Sequence, residues 1–251
     1  MIYFIGAGPG AVDLITVRGK NILEKADLIV YAGSLVNPEL LQYAKSSCKT
    51  INSANLTLEE VIDVMVPSDK EGKVVVRLHT GDPSIYGAIR EQMDLLDNYG
   101  LSYEVVPGVS SFCAAASALK AEYTLPDVSQ SVIITRMEGR TLVPSKEKIA
   151  LFAAHQSTMI IFLSTGLVEE LSKELIKGGY AENTPAAIVY KASWPDEKVF
   201  LCTVSTLAKT ADENNLKKTA LILVGNFLGD RYERSKLYNP NFTHEYREAS
   251  K

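Results

Sequence analysis

The chain has 251 residues, 46% of them hydrophobic and 22% charged, with a formal net charge of −4 at pH 7. That length suits one large domain or two lobes of ordinary size, each able to bury a core. The acidic balance excludes a global basic field for nucleic acid or an anionic membrane, and no apolar run reaches the length of a membrane span. The opening residues, MIYFIGAGPG, lack the basic segment and cleavage-type site of a secretory signal and read as an N-terminal strand. Cys48, Cys113 and Cys202 are odd in number and widely separated. They give neither a disulfide framework nor a zinc spacing, which fits a reducing, cytoplasmic setting.

Short β-branched runs alternate with longer helical patterns along the first half. Strands are expected at 2–7, 27–32, 73–78 and 103–108, and helices at 17–25, 56–66, 84–97 and 110–119. This is the rhythm of a parallel α/β sheet. Residues 121–130, AEYTLPDVSQ, break it and serve as the expected linker. Beyond it, strands are expected at 131–135, 158–164, 186–190, 198–203 and 219–225, with helices at 145–154, 167–177 and 205–214. Only KASWPDE separates the strands at 186–190 and 198–203. That is too short for a parallel crossover, so an antiparallel hairpin and a mixed sheet are predicted there. The expected organisation is thus an N-terminal α/β lobe over 1–120, the linker, a C-terminal α/β lobe over 131–228 and an extension over 229–251. The extension is polar but carries Tyr232, Tyr238, Phe242 and Tyr246, which suggests packing on the body or on a partner.

Three glycine-bearing loops follow predicted strands. GAGPGA, residues 6–11, matches the dinucleotide fingerprint formally, with Gly6, Gly8 and Ala11 in register. Pro9 removes an N–H from a loop that would have to donate to pyrophosphate, and the second strand ends in VYAGS without an acidic residue for a ribose. Taken alone, the motif fits a tight β-to-α turn as well as a ligand site. HTGDPSIYG, residues 79–87, lies at the carboxyl end of a strand, where open α/β sheets bind ligands. Its alternative is an Asp cap followed by Pro at an ordinary helix start. VVPGVSSF, residues 105–112, repeats the arrangement, with Ser110 and Ser111 at the helix start as ligand groups or as simple caps. RMEGRT, residues 136–141, and YKASWPDEK, residues 190–198, could be surface loops. His79, His155 and His244 are scattered, which gives no support for a metal site, and neither serine sits in a nucleophile elbow.

Together, GAGPGAVDLITVRG, ADLIVYAGSLV, HTGDPSIYGAIREQ, VVPGVSS, EGRT and VYKASWPDE resemble the tetrapyrrole methylases of cobalamin biosynthesis. The similarity is strongest to the precorrin-4 / cobalt-precorrin-4 C(11)-methyltransferase branch and covers nearly the whole chain in order. One departure is visible, since EGRT usually continues with Pro-Val-Pro and this chain has Leu142 before Val-Pro. The resemblance implies two α/β lobes, a homodimer, a tetrapyrrole substrate, and S-adenosylmethionine in the cleft between the lobes. By motif position it implies that Pro9, Thr80, Gly81, Asp82, Ile85, Ser110 and Ser111 line the cofactor. Leu163, Ser164, Ala192 and Ala220 would close over it. His79, Arg90, Arg136, Arg140 and Lys191 are candidates for meeting the substrate's carboxylates, chosen for nearness to those loops, and Glu138 is a further substrate-binding candidate. Methyl transfer depends mainly on alignment, so no general base is assigned. Methylation at another ring carbon, a nicotinamide-dependent oxidoreductase and a non-catalytic tetrapyrrole-binding module stand as alternatives.

Overall fold

The computed structural model describes residues 1–33 and 35–250. It forms two compact units, Met1–Ala114 with Lys191–Asp196, and Ala115–Tyr190 with Glu197–Lys251. The last residue of the predicted C-terminal extension, 251, lies outside the described residues.

In the first unit, strands β1 (Ile2–Gly6), β2 (Leu28–Tyr31), β3 (Lys49–Asn52), β4 (Val75–His79) and β5 (Tyr103–Val106) form one sheet in the order β3-β2-β4-β1-β5. Every pairing in it is parallel. Helices α1 (Val17–Leu23), α2 (Leu58–Lys70) and α3 (Ile89–Asn98) connect these strands, and α4 (Ser111–Leu119) follows β5. The sheet is covered on both faces, which is why β1 and β2 read as nearly continuous apolar runs and β4 does so apart from Arg77 and His79. Ile5, Ile29, Val76 and Leu78 pack with Leu23 and Leu40 on one face. Phe4, Val30 and Val75 pack with Ile62, Met65 and Leu96 on the other.

Helix α2 begins with a reciprocal capping box, in which Thr57 Oγ1 accepts from Glu60 N and Glu60 accepts from Thr57 N. It runs one turn past Pro67 to Lys70, beyond the apolar period that marked it in the sequence. Strand β3 has no strand signal in the sequence, because an edge strand reading KTIN offers a single apolar residue, Ile51, which packs partly buried against the core. Helix α3 starts at Ile89 rather than 84, because Tyr86 and Ala88 adopt left-handed conformations, with φ of 55° and 49°.

In the second unit, β6 (Val132–Arg136), β7 (Thr158–Phe162), β8 (Pro185–Tyr190), β9 (Lys198–Thr203) and β10 (Ala220–Val224) form a sheet in the order β6-β7-β10-β8-β9. β6 and β7 are parallel, and the remaining pairs are antiparallel. β8 and β9 form the predicted hairpin, with Tyr190 opposite Lys198. Helices α5 (Ile149–Ala153), α6 (Val168–Lys177) and α7 (Leu207–Glu213) cover one face through Leu171, Leu175 and Leu207 against Met159, Ile161, Ile188 and Ile222. Residues 121–130 are bonded into this unit, since Thr158 Oγ1 donates to Tyr123 O and Thr158 N to Ser129 Oγ. The extension does not bury its rings as one sequence reading had it. Tyr238 and Tyr246 are 77% and 86% exposed, and Arg247 ties the segment to its own carbonyls at Leu237 and Asn239.

Candidate active site

The carboxyl ends of β1, β4 and β5 meet backbone to backbone. Ala7 N donates to His79 O at 2.7 Å, Gly81 N to Gly8 O at 2.8 Å and Gly8 N to Gly81 O at 3.2 Å. A Cβ on Gly6 would stand 2.6 Å from both Gly81 O and Gly108 N. One on Gly108 would overlap Gly81 O and stand 2.7 Å from Gly6 Cα. These two glycines therefore serve the contact of one loop with another. Gly81 differs: its φ is +61°, and a Cβ there would meet Ser110 Cα at 3.6 Å and Ser111 N at 3.7 Å, ordinary contacts.

Asp82 fastens the rim. Its Oδ2 accepts from Gly108 N at 2.8 Å, and its Oδ1 accepts from Ser84 N at 2.8 Å and from the Ser84 hydroxyl. Burial raises the carboxyl pKa, but the bonds from Ser84 and Gly108 outweigh it and hold the group below its ordinary value. Asp82 is thus ionised at neutral pH. An ionised carboxylate offers about four acceptor sites, so one remains beyond these three donors. Asp82 caps a turn here, not α3. Ile85 N donates to Asp82 O, and the strained Tyr86 and Ala88 follow on either side of Gly87. Left-handed non-glycine residues concentrate where a site must be pre-shaped.

The β1-exit loop is held from outside. Trp194 Nε1 donates to Pro9 O at 3.0 Å, Asn37 Nδ2 to Gly10 O at 2.9 Å, and Ala11 N to Ser193 Oγ at 3.0 Å. Of the N–H groups at positions 7–11, those of Ala7, Gly8 and Ala11 donate within the protein and Pro9 has none. The loop is therefore no pyrophosphate cradle, which removes the motif's support for a nicotinamide enzyme. Sequence reading passed over Asn37, Ser193 and Trp194. The one available signal was that the chain's single tryptophan lies in the YKASWPDE motif.

Beneath the rim, Arg77 and His79 project from β4 into the core. Arg77 donates from Nε to Gln92 Oε1 at 3.0 Å and from NH1 to Val30 O at 3.2 Å, and burial lowers its pKa to about 10. It stays charged. His79 is 5% exposed and stacks on Phe4, and its Nε2 has no hydrogen-bond partner among the described residues. Burial, with Arg77 nearby, lowers its pKa to about 3. His79 is therefore neutral and enclosed, which corrects the expectation that it meets substrate carboxylates.

In the second unit a hydroxyl joins the strand exits. Ser164 is fully buried, accepts from Met137 N at 2.8 Å and donates to Phe162 O at 2.7 Å. Thr165 Oγ1 donates to Ala220 O at 3.2 Å. Leu163, between Phe162 and Ser164, has φ 53° and is 66% exposed, a strained and unburied leucine. Arg136 donates to the carbonyls of Met137, Thr141 and Leu142, so it clamps its own loop and is not free for substrate. Glu138 is half-buried and Arg140 exposed on that loop. Arg90 is exposed on α3 and pairs with Asp94. Ala192 and Lys191 belong to the first unit. Ala192 is buried, and Lys191 pairs with Asp196 at 2.6 Å and lies over the Trp194 ring.

The structure thus brings Pro9, Thr80, Gly81, Asp82, Ile85, Ser110 and Ser111 to one rim of the first sheet, and Leu163, Ser164 and Ala220 to one end of the second. Among the described residues no cluster of His, Cys, Asp or Glu could hold a metal, and no helix is long and apolar enough to cross a membrane. This combination, a parallel sheet with a non-phosphate rim and a mixed sheet with a strained β7 exit, defines a two-unit α/β protein. The model of the tetrapyrrole (corrin/porphyrin) methylases matches residues 1–208, and the chain belongs to that family. It is 56% identical, over all of its length and 97% of the other's, to a cobalt-precorrin-4 C(11)-methyltransferase of Methanocaldococcus jannaschii. It is 42% identical, over 98% of each chain, to a precorrin-4 C(11)-methyltransferase of a Sinorhizobium species. A solved cobalt-precorrin-4 methyltransferase superposes with a TM-score of 0.89 at 48% identity, covering 91% of this chain and 96% of that one.

Proposed function

We propose that this protein transfers the methyl group of S-adenosylmethionine to carbon 11 of cobalt-precorrin-4. The observation that carries this reading is the end-to-end 56% identity to a relative named for that reaction. The relative named without cobalt is less similar, at 42%, which favours the cobalt-containing substrate.

The residues at the first rim fit this cofactor. It has no phosphate, so a loop with Pro9 and internally spent N–H groups is compatible with it. Its ammonium suits the remaining acceptor site of ionised Asp82, and its hydroxyl and carboxylate groups suit Thr80, Ser110 and Ser111. Gly81 lets the backbone approach closely, and Pro9 and Ile85 supply apolar wall. In the second unit Leu163 is the exposed candidate beside Ala220, whereas Ser164 is fully buried with its hydroxyl spent on Met137 N and Phe162 O, and Ala192 is buried in the first. When bound, the cofactor supplies a methyl group already activated by its sulfonium. The protein's task is then alignment, and well-oriented reactants can gain roughly 7–11 kcal/mol from it. Exposed Arg140, with Lys191 and Arg90, orients the macrocycle through its carboxylates, and Glu138 is left to accept from a donor group of the substrate. No residue is assigned as a base, since the ring proton can leave after transfer. The active protein is a cytoplasmic homodimer, a reading supported by family and by the exposed rings of the extension.

The test is incubation with methyl-labelled S-adenosylmethionine and either cobalt-precorrin-4 or precorrin-4, with the product located by NMR. Label at carbon 11, faster with cobalt, is expected. Label at another carbon overturns the regiochemistry. Calorimetric binding of NAD but not S-adenosylhomocysteine would replace the reading with an oxidoreductase.

A further inference from the structure

The segment Lys191–Asp196 leaves and re-enters the second sheet through β8 and β9, yet it belongs to the first unit. Lys191 and Ser193 are both left-handed, with φ of 47° and 68°. Such strain persists only where surrounding contacts over-determine it, and contacts on the β1-exit loop are among them, beside the Lys191–Asp196 pair within the segment. The indole lies directly on Gly10: a Cβ there would overlap the ring and stand 2.7 Å from Cγ, and its three nearest atoms all belong to Trp194. Nε1 takes the Pro9 carbonyl, and the adjacent Ser193 hydroxyl takes the Ala11 N–H. On its far side the loop joins the β4-exit loop through the Ala7 N to His79 O bond and the paired bonds between Gly8 and Gly81, so its position bears on that of Thr80-Gly81-Asp82, which Gly108 N holds from the other side.

We infer that Trp194 is a positioning residue for the methyl-donor site, holding the β1-exit loop by the Pro9 carbonyl and the face of Gly10 so that the Gly8–Gly81 bridge presents the β4-exit loop in binding form. This rests on the proposed function and adds to it a residue that does not itself touch the cofactor. It also explains why Gly10 is glycine: its φ is not left-handed, and the nearest atoms a methyl would meet are the indole's.

A double-mutant cycle tests it, with affinity for S-adenosylhomocysteine measured by calorimetry beside ligand-free thermal melts. Trp194→Phe keeps a ring on Gly10 but loses the donor to Pro9. It should weaken binding about three- to ten-fold, the worth of one hydrogen bond, with the melting temperature little changed and KM for S-adenosylmethionine raised more than kcat is lowered. Gly10→Ala in the parent should displace the indole, red-shift the single-tryptophan emission and weaken binding about ten-fold or more. In a Trp194→Ala background the same Gly10→Ala change should alter affinity less than two-fold, because the obstacle is gone. Parent-like affinity in both Trp194→Phe and Trp194→Ala overturns the inference. So does Gly10→Ala being equally harmful with and without the indole. If the parent itself fails to bind S-adenosylhomocysteine, the proposed function falls, and this inference with it.

Discussion

Both units must hold parallel strand exits together, and they do so by different means. At β1, β4 and β5 the joint is backbone on backbone, and Gly6 and Gly108 leave no room for a side chain. At β6 and β7 a side chain mediates, with the Ser164 hydroxyl bridging Met137 N to Phe162 O. The first joint depends on the absence of atoms and the second on the presence of one. They should fail differently: the first by steric collision, the second by an unsatisfied donor.

The largest effect should come from filling the first joint. Gly108→Ala drives a methyl into Gly81 O and Gly6 Cα, backbone atoms that cannot rotate away. A loss of about 3 kcal/mol or more is expected, at the upper end of overpacking. Denaturant unfolding measures it, and a stability within 1 kcal/mol of the parent would show the joint to be pliable. Ser164→Ala adds no atom but strands Met137 N, which should cost about 1–3 kcal/mol with cooperative unfolding retained. Ser164→Thr and Ser164→Cys, which keep a polar atom at that position, sharpen the contrast if their losses fall below that of alanine.

Gly81→Ala separates backbone strain from collision at the same rim. No neighbour obstructs its Cβ, and only φ of +61° is unfavourable, so about 1–2 kcal/mol is expected. A loss as large as that of Gly108→Ala would erase the distinction between the two glycines. The smallest effect concerns acid. Beneath the first rim lies His79, with pKa near 3 when folded against 6.5 for the free side chain, whereas the second joint is made by hydroxyls. The unfolded state binds the proton first. The stability from keeping His79 neutral is therefore full above pH 6.5 and is lost progressively as pH falls towards 3. At pH 5.5 the loss should be about 1 kcal/mol, absent from His79→Gln. Equal acid sensitivity in the two proteins would show that His79 is not the group responsible.

Much of this was legible in the sequence because it rests on local patterns. The buried strands IYFIG, LIVY and VVRLH announce a sheet covered on both faces, and the short KASWPDE connection requires a hairpin. The three glycine loops at strand exits marked the rim. Less local features were not legible. β3 gains its strand conformation only from β2 beside it, and α3 starts late because Tyr86 and Ala88 take angles that a helical period cannot announce.

What the sequence determined by itself is therefore the order and type of the elements and the chemistry at their exits, since apolar period and turn residues act within a few positions. What only the tertiary structure decided is what each polar or glycine residue is for. Gly6 and Gly108, separated by 102 positions (108 − 6), prove to be two sides of one contact. His79, basic on paper, is rendered neutral by burial. Trp194, 184 positions from Gly10 (194 − 10), lies on its face. Sterics and desolvation depend on distance in space, and that distance exists only once the sheets have formed.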